Sequence, residues 1–529
     1  QQLDYMLRNR FLAALFTLAL ASGCGQKWQD AVNPLTYTDI PDNDVIRVGE
    51  DYYMVSTTMY YCPGAPIMHS RDLVHWRIVN YVYDCLEDDD VYNLRNGANA
   101  YGKGQWATSL RYHDGVYYAL FIANDQRKTY VYRTDDIMDG EWTRSVIDLP
   151  MHDASMLFDD GRLYVVWGNG DLRITELEPD GSALKDGGVD SVVIRAPREG
   201  YMLRAEGAHL YHIGDWYYLL EIDWPRGGVR TETCWRSRDL LGPYESKVVL
   251  QGEFDSRSDG VAQGAIVDTP AGDWYAIMFQ DHGAVGRIPT IHPVKWIDGW
   301  PIMGDGGVPM KTVRVNLPAS GDDYVWASDE FDSLELALVW QWNHKPEDSL
   351  WSLSERPGWL RLHAGVPAEG IMSARNTLTQ RTVGPKCVSE VKLDISGLKP
   401  GDKAGICAFQ SNNITLGAEV GPDGITDVVL RRNGPDVKNM EEYRQRLRGN
   451  SLWLRLNYVF TPSAEGEEAD TVTASWSEDG QTWHDCGFTL KMRYTLDLFT
   501  GYRTALYCYP TSAEGGYADF DYFHQRVLN

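Results

Sequence analysis

Three carboxylates in the first half of the chain stand where a reaction could use them: Asp42 in "IPDND", Asp153 in "HDASMLF" and Glu206 in "AEGAHLY". A charged side chain is costly to bury in a strand unless a partner or a reaction requires it. Carboxylates that converge push their pKa values apart and can divide acid and base roles between them. Cleavage of a glycosidic bond needs such a division, with one acid at the leaving oxygen and one base at water.

A repeated turn-and-strand motif predicts how these residues come together. Its five copies carry an equivalent aromatic residue after a turn, and successive copies are 46 to 65 residues apart; these aromatics are Tyr53, Tyr118, Tyr164, Tyr218 and Tyr275. Each interval has room for a four-stranded sheet. Five such sheets in tandem predict a five-bladed β-propeller, in which the first strand of every blade lines a central channel.

The carboxylates hold matched positions in this repeat. Asp42 and Asp153 precede the aromatic of their own copies by 11 residues, and Glu206 precedes its aromatic by 12. The corresponding positions in the second and fifth copies are Ala107 beside Trp106, and Gln263 or Gly264. Taken singly, each acid fits an ordinary turn or strand edge. At matched positions they are expected to meet at one mouth of the channel. A calcium loop is the competing use of acids, but it draws several ligands from one short stretch.

Composition and charge agree with an all-β protein of more than one domain. The chain has 529 residues, of which 43% are hydrophobic, with 50 Gly, 31 Tyr and 19 Trp. Short alternating runs bounded by Gly, Asp and Asn recur throughout, which is typical of strands joined by tight turns. The formal net charge of −26 comes without a basic stretch. A nucleic-acid partner is therefore excluded as a class, whereas neutral ligands such as sugars are compatible.

The N-terminal segment predicts export. "MLRNRFLAALFTLALASGC" has basic residues, then an apolar run from Phe11 to Ala21, then small residues before Cys24. This is the pattern of a secretory signal, and its end resembles a bacterial lipobox. We expect residues 1–24 to be a signal peptide, with Cys24 lipidated in the periplasm or at the outer-membrane surface; ordinary cleavage nearby is the alternative. The lipid would be the sole membrane contact.

Seven further cysteines are scattered along the chain without a C-x-x-C pair. This spacing favours isolated buried thiols over a metal site. Cys62 and Cys85 are a disulfide candidate in an exported protein.

Four segments, in order along the chain, resemble glycoside hydrolase family 43: "NPLTYTDIPDNDVIRVGEDYYMVSTTMYYCPGAPIMHSRDLVHW", "HDASMLFDDGRLYVVWG", "AEGAHLYHIGDWYYL" and "QGAIVDTPAGDWYAIMFQDHGAVGRIPTIHPVKWIDGWPI". The resemblance covers about residues 33–310. It implies a five-bladed propeller and an inverting mechanism. It also implies that Asp42 is the general base, Glu206 the general acid, and Asp153 the residue that tunes and orients the acid. The count from the repeat selects the same three residues.

The resemblance also implies contacts to substrate. Arg287 in "VGRIP" matches a family Arg that reaches the terminal sugar and the Asp at the position of Asp153. Trp106, and Tyr60 or Tyr61, are candidates to pack against a sugar ring, with core packing as the alternative.

Two departures from the family pattern concern Asn43 and Gln263. Asn43 stands where Pro is usual, next to a retained Asp. Gln263 stands where many members place a His that organises a calcium ion through water. Gln263 retains the capacity to hydrogen-bond water and is a further candidate for substrate binding. It puts the calcium in doubt, so we expect no required cofactor and no metal ligands, with a structural calcium ion as the alternative. His209 is interpreted as a structural residue.

The repeat ends near residue 311, so a propeller of residues 27–311 is followed by a predicted linker of residues 312–328. Residues 329–529 open with a segment dense in Trp, "DEFDSLELALVWQWNHKPEDSLWSLSERPGWLRLHAG", and continue in alternating runs, which predicts an antiparallel β-sandwich. This half resembles the concanavalin-like domain of many family 43 enzymes, where a sandwich loop often closes the pocket. A separate carbohydrate-binding module or a pure scaffold is the alternative.

Together these observations predict an exo-acting, inverting glycosidase that releases terminal α-L-arabinofuranosyl or β-D-xylosyl residues. The expected substrates are arabinoxylan, xylo-oligosaccharides and arabinan, with a lean toward arabinose because "TTMYYCPGAPI" is similar to members with that activity. A surface glycan-binding lipoprotein without catalysis is the alternative from another class. A fructan-cleaving propeller is disfavoured because its Trp-x-Asn-Asp-Pro-Asn opening is missing.

Overall fold

A computed structural model describes residues 27–257, 259–513 and 515–528. In this part of the chain the regular elements are β-strands, together with three short 3-10 helices, Gly283–Val285, Asp348–Leu350 and Ile371–Ser373. The all-β prediction is therefore confirmed. No helix among these residues is long and apolar enough to cross a membrane. The predicted signal peptide and Cys24 lie outside the described residues.

Five four-stranded antiparallel sheets form the blades of a propeller. Blade 1 comprises Asp44–Val48, Asp51–Val55, Gly64–Ser70 and Arg77–Tyr83. Blade 2 comprises Gln105–His113, Val116–Ala123, Lys128–Thr134 and Thr143–Ile147. Blade 3 comprises Ser155–Asp159, Arg162–Asn169, Asp171–Leu177 and Asp190–Arg195. Blade 4 comprises Tyr201–Ile213, Trp216–Pro225, Thr231–Ser237 and Glu245–Gln251. Blade 5 comprises Val261–Asp268, Trp274–Asp281, Arg287–Ile297 and Trp300–Met303.

The first strands of the blades form a closed ring around the channel. Each first strand contacts the first strand of the next blade, and that of blade 5 contacts that of blade 1. The repeated aromatic residue falls on the second strand of every blade, as predicted. These second strands are buried almost throughout, for example Val116–Ala123, because neighbouring blades cover both of their faces. The fold thus brings matched positions of all five repeats to one axis.

The ring is followed by a short strand in the segment predicted as a linker. Thr312–Val315 pairs antiparallel with Gln29–Val32. The alternation of Thr312, Val313, Arg314 and Val315 buries both valines completely, which is why this stretch joins the propeller instead of spanning open solvent. The two chain ends of the propeller are thereby held together.

Two sheets of eight and seven strands form the C-terminal sandwich. In spatial order the first sheet contains Val437–Arg446, Thr426–Gly434, Asn413–Val420, Asp402–Phe409, Arg503–Pro510, Leu378–Arg381, Gln341–Asn343 and Tyr61–Cys62. The second contains Trp351–Ser352, Leu360–His363, Tyr517–Leu528, Lys386–Asp394, Ser451–Val459, Thr471–Ser477 and His484–Lys491. The edge strand Tyr61–Cys62 comes from the propeller, so one sheet runs across both domains.

A disulfide joins Cys62 to Cys85, as predicted from the sequence. Cys234, Cys387, Cys407, Cys486 and Cys508 are free and buried. The bridge closes a loop with a sequence separation of 23 residues, which contains the two outer strands of blade 1.

We expect Cys85→Ser to lower the free energy of unfolding by about 3 kcal/mol. A disulfide that closes a loop of this size lowers the conformational entropy of the unfolded chain, which stabilises the folded protein by about that amount. Urea unfolding with and without a thiol reductant measures the effect. Reductant should destabilise the wild type and leave Cys85→Ser unchanged; equal stability of the two oxidised proteins would contradict the prediction.

Candidate active site

Asp42 lies two residues before the first strand of blade 1, and its side chain is buried. Its backbone has a φ of 55°, a left-handed conformation that Asp tolerates better than most residues. Oδ1 accepts a hydrogen bond from Arg287 Nη1 at 2.9 Å, and Oδ2 accepts one from Thr57 Oγ1 at 2.6 Å. Burial raises the pKa of Asp42, the Arg287 charge opposes this shift, and the nearby Asp153 adds to it.

Asp153 occupies the same position in blade 3, two residues before that blade's first strand, with a φ of 47°. The backbone N–H of Gly207 donates to its Oδ2 at 3.1 Å. Burial raises the pKa of Asp153; the neighbouring charge of Glu206 acts in the same direction, while His152 and Arg287 oppose it. The equivalent turns of blades 1 and 3 therefore present two buried carboxylates to the same space.

Glu206 lies within the first strand of blade 4 and is joined to Asp153 through His152. Glu206 Oε2 accepts a hydrogen bond from Asn169 Nδ2 at 2.6 Å and lies 3.0 Å from His152 Nε2. His152 Nε2 is also 3.5 Å from Asp153 Oδ2. Burial disfavours the imidazolium, but the two carboxylates outweigh burial and raise the pKa of His152 to about 9.

The structure thus brings together the three predicted carboxylates: Asp42 and Asp153 just before the first strands of blades 1 and 3, and Glu206 within the first strand of blade 4. Arg287 is the cation shared by this site: it bonds Asp42 directly and acts on Asp153 through its charge. The expectation that Arg287 pairs with Asp153 is corrected, because its hydrogen bond goes to Asp42. Nε and Nη2 of Arg287 are buried and have no partner in the described structure, which leaves two donors for an oxygen of a bound ligand.

The sandwich contributes a side chain that the sequence did not reveal. The ring of Phe499 lies 4.7 Å from the guanidinium carbon of Arg287 and 5.6 Å from the ring of Trp106. Trp106 is half-buried and lies 5.9 Å from the His152 ring. Phe499 and Trp106 therefore flank the carboxylates from the two domains.

Asp39 links the sandwich segment that contains Phe499 to the active site through hydrogen bonds. Its Oδ1 accepts the backbone N–H of Arg287 at 2.7 Å, and its Oδ2 accepts that of Gly501 at 3.0 Å. The backbone N–H of Tyr502 also donates to Ala284 O of the propeller at 2.9 Å. The position of Phe499 is thus set by hydrogen bonds across the domain boundary.

Tyr60 and Tyr61 have no exposed surface. Tyr60 stacks on His344 of the sandwich, with ring centroids 5.0 Å apart, and the Tyr61 ring packs 3.7 Å from the guanidinium carbon of Arg503. The prediction that one of them packs against a sugar is wrong, because both rings are enclosed between the two domains.

Gln263 and His209 support the backbone of the site. Gln263 has a φ of 61°, and its side chain packs under Gly207, where an added Cβ would come within 2.7 Å of Gln263 Cδ. His209 is buried, with its Nδ1 3.0 Å from Gly207 O, and burial lowers the pKa of His209. Both residues therefore hold the bulge after Glu206 in place, which agrees with the structural role predicted for His209.

One group of side chains among the described residues has ligand atoms close enough to hold an ion: His152, Asp153 and Glu206, within 4.8 Å of one another. Calcium prefers six to eight oxygen ligands. Here one of the three groups offers an imidazole nitrogen, and Asn169 and Gly207 already donate to the carboxylates. The donor set does not fit calcium, and we derive no step through a metal.

Glu232 is a buried carboxylate next to Gln263, and it has no basic partner among the described residues. Its Oε2 accepts the Gln263 N–H at 2.8 Å, and its Oε1 has no partner among the described residues. Burial raises the pKa of Glu232 well above its usual value. When folding raises the pKa of an acid, the folded protein loses stability as the pH rises above the pKa that the acid has in the unfolded chain.

We therefore expect Glu232→Gln to raise the melting temperature at pH 8, by about 1–2 °C for each kcal/mol of ionisation cost removed in a chain of this size, and to leave it unchanged near pH 4. Thermal unfolding at both pH values measures the difference. Glu50→Gln, in an exposed turn of blade 1, is the control; an equal effect of both substitutions would refute the explanation.

Both halves of the chain match known protein families. Residues 31–301 match glycosyl hydrolases family 43, and residues 328–526 match the β-xylosidase C-terminal concanavalin A-like domain. A β-xylosidase of Formosa agariphila is 28% identical over 93% of this chain and 89% of its own length. A putative β-xylosidase of Xylanibacter ruminicola is 32% identical over 86% of each chain. The non-reducing end α-L-arabinofuranosidase BoGH43B of Bacteroides ovatus is 31% identical over 62% of this chain and 64% of its own.

A solved structure of a bifunctional GH43-CE protein from Bacteroides eggerthii superimposes with a TM-score of 0.88 at 43% identity. The match covers 95% of this chain and 64% of that one, so this chain spans less than two thirds of the bifunctional protein. The propeller, the sandwich and the order of the two agree with these relatives. The chain therefore belongs to glycosyl hydrolase family 43.

Proposed function

We propose that this protein is an exo-acting, inverting glycosidase that releases terminal α-L-arabinofuranosyl or β-D-xylosyl residues from hemicellulose-derived glycans. The observation that supports the proposal is the proximity of Asp42 to Asp153 and of Asp153 to Glu206, with Arg287 bonded to Asp42 and Phe499 beside Arg287. The names of the relatives, β-xylosidases and an arabinofuranosidase, support a pentose as the released sugar. A binding protein without activity finds no support among them.

Asp42 is assigned as the general base. Thr57 and Arg287 hold its two oxygens, and the guanidinium charge offsets the cost of ionising a buried carboxyl. The ionised carboxylate takes a proton from water as the water oxygen attacks the anomeric carbon. Inversion requires room for that water, so the carboxyls of base and acid are expected to lie about 6.5–9.5 Å apart.

Glu206 is assigned as the general acid and Asp153 as its positioning residue. The Glu206 carboxyl gives its proton to the leaving oxygen as the glycosidic bond breaks, and Asn169 and His152 fix the carboxyl in place. Asp153 accepts the N–H of Gly207, the residue after Glu206, and so fixes the backbone that carries the acid. Proton exchange with solvent then restores both carboxyls.

Hydrolysis of p-nitrophenyl α-L-arabinofuranoside and β-D-xyloside, followed by arabinoxylan, arabinan and xylo-oligosaccharides, tests the substrate class. Proton NMR of the first turnovers tests the stereochemistry: a β-xyloside should release α-xylose before mutarotation. Release of the β anomer, or no hydrolysis of any pentoside, would overturn the proposal.

We also propose that the protein is exported and anchored through a lipid on Cys24. The basic, apolar and small-residue pattern that ends at Cys24 supports this. Labelled palmitate should enter the wild type expressed in a Gram-negative host, whereas Cys24→Ser should remain unlabelled. Labelling of both proteins, or of neither, would contradict lipidation at this residue.

A further inference from the structure

A cleft lies between blades 3 and 4, apart from the three carboxylates. Its volume is about 330 Å³, within the range of small-molecule sites. Its walls come from the end of blade 3 at Ala196 and Pro197 and from the strands of blade 4. Exposed residues of the outer strand of blade 4, Ser246 among them, form its rim, so the cleft is open to solvent.

The floor of the cleft holds a carboxylate with an unused oxygen. Glu221 is 1% exposed. Its Oε1 accepts a hydrogen bond from Trp235 Nε1 at 3.0 Å, while its Oε2 has no partner in the described structure. Asp223 is two residues along the same strand, where Thr233 Oγ1 donates to its Oδ2 at 2.9 Å. A buried polar atom without a partner is costly, so a ligand that supplies one gains affinity.

The lining of the cleft selects a neutral ligand that carries hydroxyl groups. Burial and the charge of Asp223 raise the pKa of Glu221 well above its usual value. A hydroxyl can both donate and accept, so it satisfies Glu221 whether this residue is protonated or ionised. Arg204 and Lys247 also line the cleft and repel a metal cation, while the two acids repel an anion.

Two aromatic residues complete a surface suited to sugars. Tyr201 and Trp235 are half-buried and line the cleft, and such residues offer apolar faces with polar tips to a ring that carries both C–H and O–H groups. Thr231 and Gln251 add further hydrogen-bonding groups to the wall. Acids, amides, hydroxyls and aromatics thus surround one space.

The cleft and the active site share one strand of blade 4. Tyr201 and Arg204 belong to the strand Tyr201–Ile213 that carries Glu206. Glu206 pairs with Ile222, which stands between Glu221 and Asp223 on the next strand. The cleft and Glu206 therefore belong to the same pair of neighbouring strands.

We propose that this cleft is a second carbohydrate-binding site, which holds pentose units of the glycan outside the catalytic pocket. The choice of pentose rests on the proposed function, whereas the site itself rests on the cleft and its unpartnered acid. Its role is to retain the polysaccharide near the active site and not to take part in bond cleavage.

Ser246→Trp fills the rim of the cleft from an exposed position and tests the proposal. In the slowed Glu206→Gln background, calorimetry with arabinoxylan oligosaccharides should find two equivalents bound per chain, and Ser246→Trp should leave one. In the active protein, Ser246→Trp should keep hydrolysis of p-nitrophenyl pentosides within about twofold and lower the rate on dilute arabinoxylan by about tenfold, the effect of a lost contact of about 1.4 kcal/mol. Thr143→Trp, exposed on the outer strand of blade 2, is the matched control.

Glu221→Met provides a second variant that removes the unpartnered oxygen and should also lose one equivalent. One equivalent in both the parent and Ser246→Trp would overturn the proposal. Uptake of calcium chloride that disappears in Glu221→Met, without binding of any sugar at the cleft, would identify a cation site instead. If the wild type cleaves no pentoside yet loses a bound glycan in Ser246→Trp, the proposed function fails while the second site stands.

Discussion

Glu206→Gln is expected to lower kcat on xylo-oligosaccharides by about 10²–10⁴-fold, the range that general acid catalysis supplies. The amide has the size of the carboxyl and retains an oxygen for the hydrogen bond from Asn169, but it has no acidic proton for the leaving oxygen. Aryl glycosides with good leaving groups need less protonation, so their kcat should fall much less. Parallel kinetics on xylobiose and on p-nitrophenyl pentosides measure both effects.

Asp42→Asn separates the two roles in the same experiment. Water must be activated whatever the leaving group is, so this substitution should reduce the rates on both substrates by similar factors. Glu245→Gln, at an exposed ion pair with Arg236 on blade 4, controls for loss of a glutamate elsewhere and should keep full activity. Equal losses for the two leaving groups in Glu206→Gln would show that this residue is not the acid.

The position count from the repeat could locate the three carboxylates because a propeller places equivalent turns around one axis. Asp42 and Asp153 both adopt the left-handed conformation, with φ values of 55° and 47°, at corresponding places in blades 1 and 3. Glu206 is one position further from its aromatic residue, and its strand contains register shifts on both sides of Glu206 when it pairs with its neighbour. A bulge adds a residue and explains the extra step.

The remaining parts of the site depend on contacts that no local pattern encodes. Phe499 reaches Arg287 from more than 200 positions further along the chain, and nothing in "LDLFTGY" marks it as a pocket residue. Tyr60 and Tyr61 were predicted as possible sugar contacts, but both are buried between the two domains. In the sequence, an aromatic residue at a domain boundary looks the same as one that stacks on a sugar. His152 was within reach of sequence reasoning, because an imidazole directly precedes Asp153.

The contact between Phe499 and Arg287 predicts that catalysis needs the sandwich in place. Phe499→Ala removes the ring beside Arg287 and Trp106 and opens that side of the pocket to water. We expect kcat/KM on pentosides to fall by about 10²-fold, the loss that accompanies a misplaced positioning group, with kcat affected as well as KM. Kinetics on both aryl pentosides, with melting temperatures to confirm folding, measure the effect.

Gly501→Val tests the same contact without touching the pocket. A Cβ at Gly501 would lie 2.1 Å from Val285 O, so the segment must move away from Asp39, whose carboxylate bonds both Gly501 and Arg287. Activity should therefore fall as in Phe499→Ala, while Leu496→Ala, at a side chain that is 74% exposed in the same segment, should stay active. If Gly501→Val retained full activity, the sandwich would be a support for the propeller, and the pocket would be complete without it.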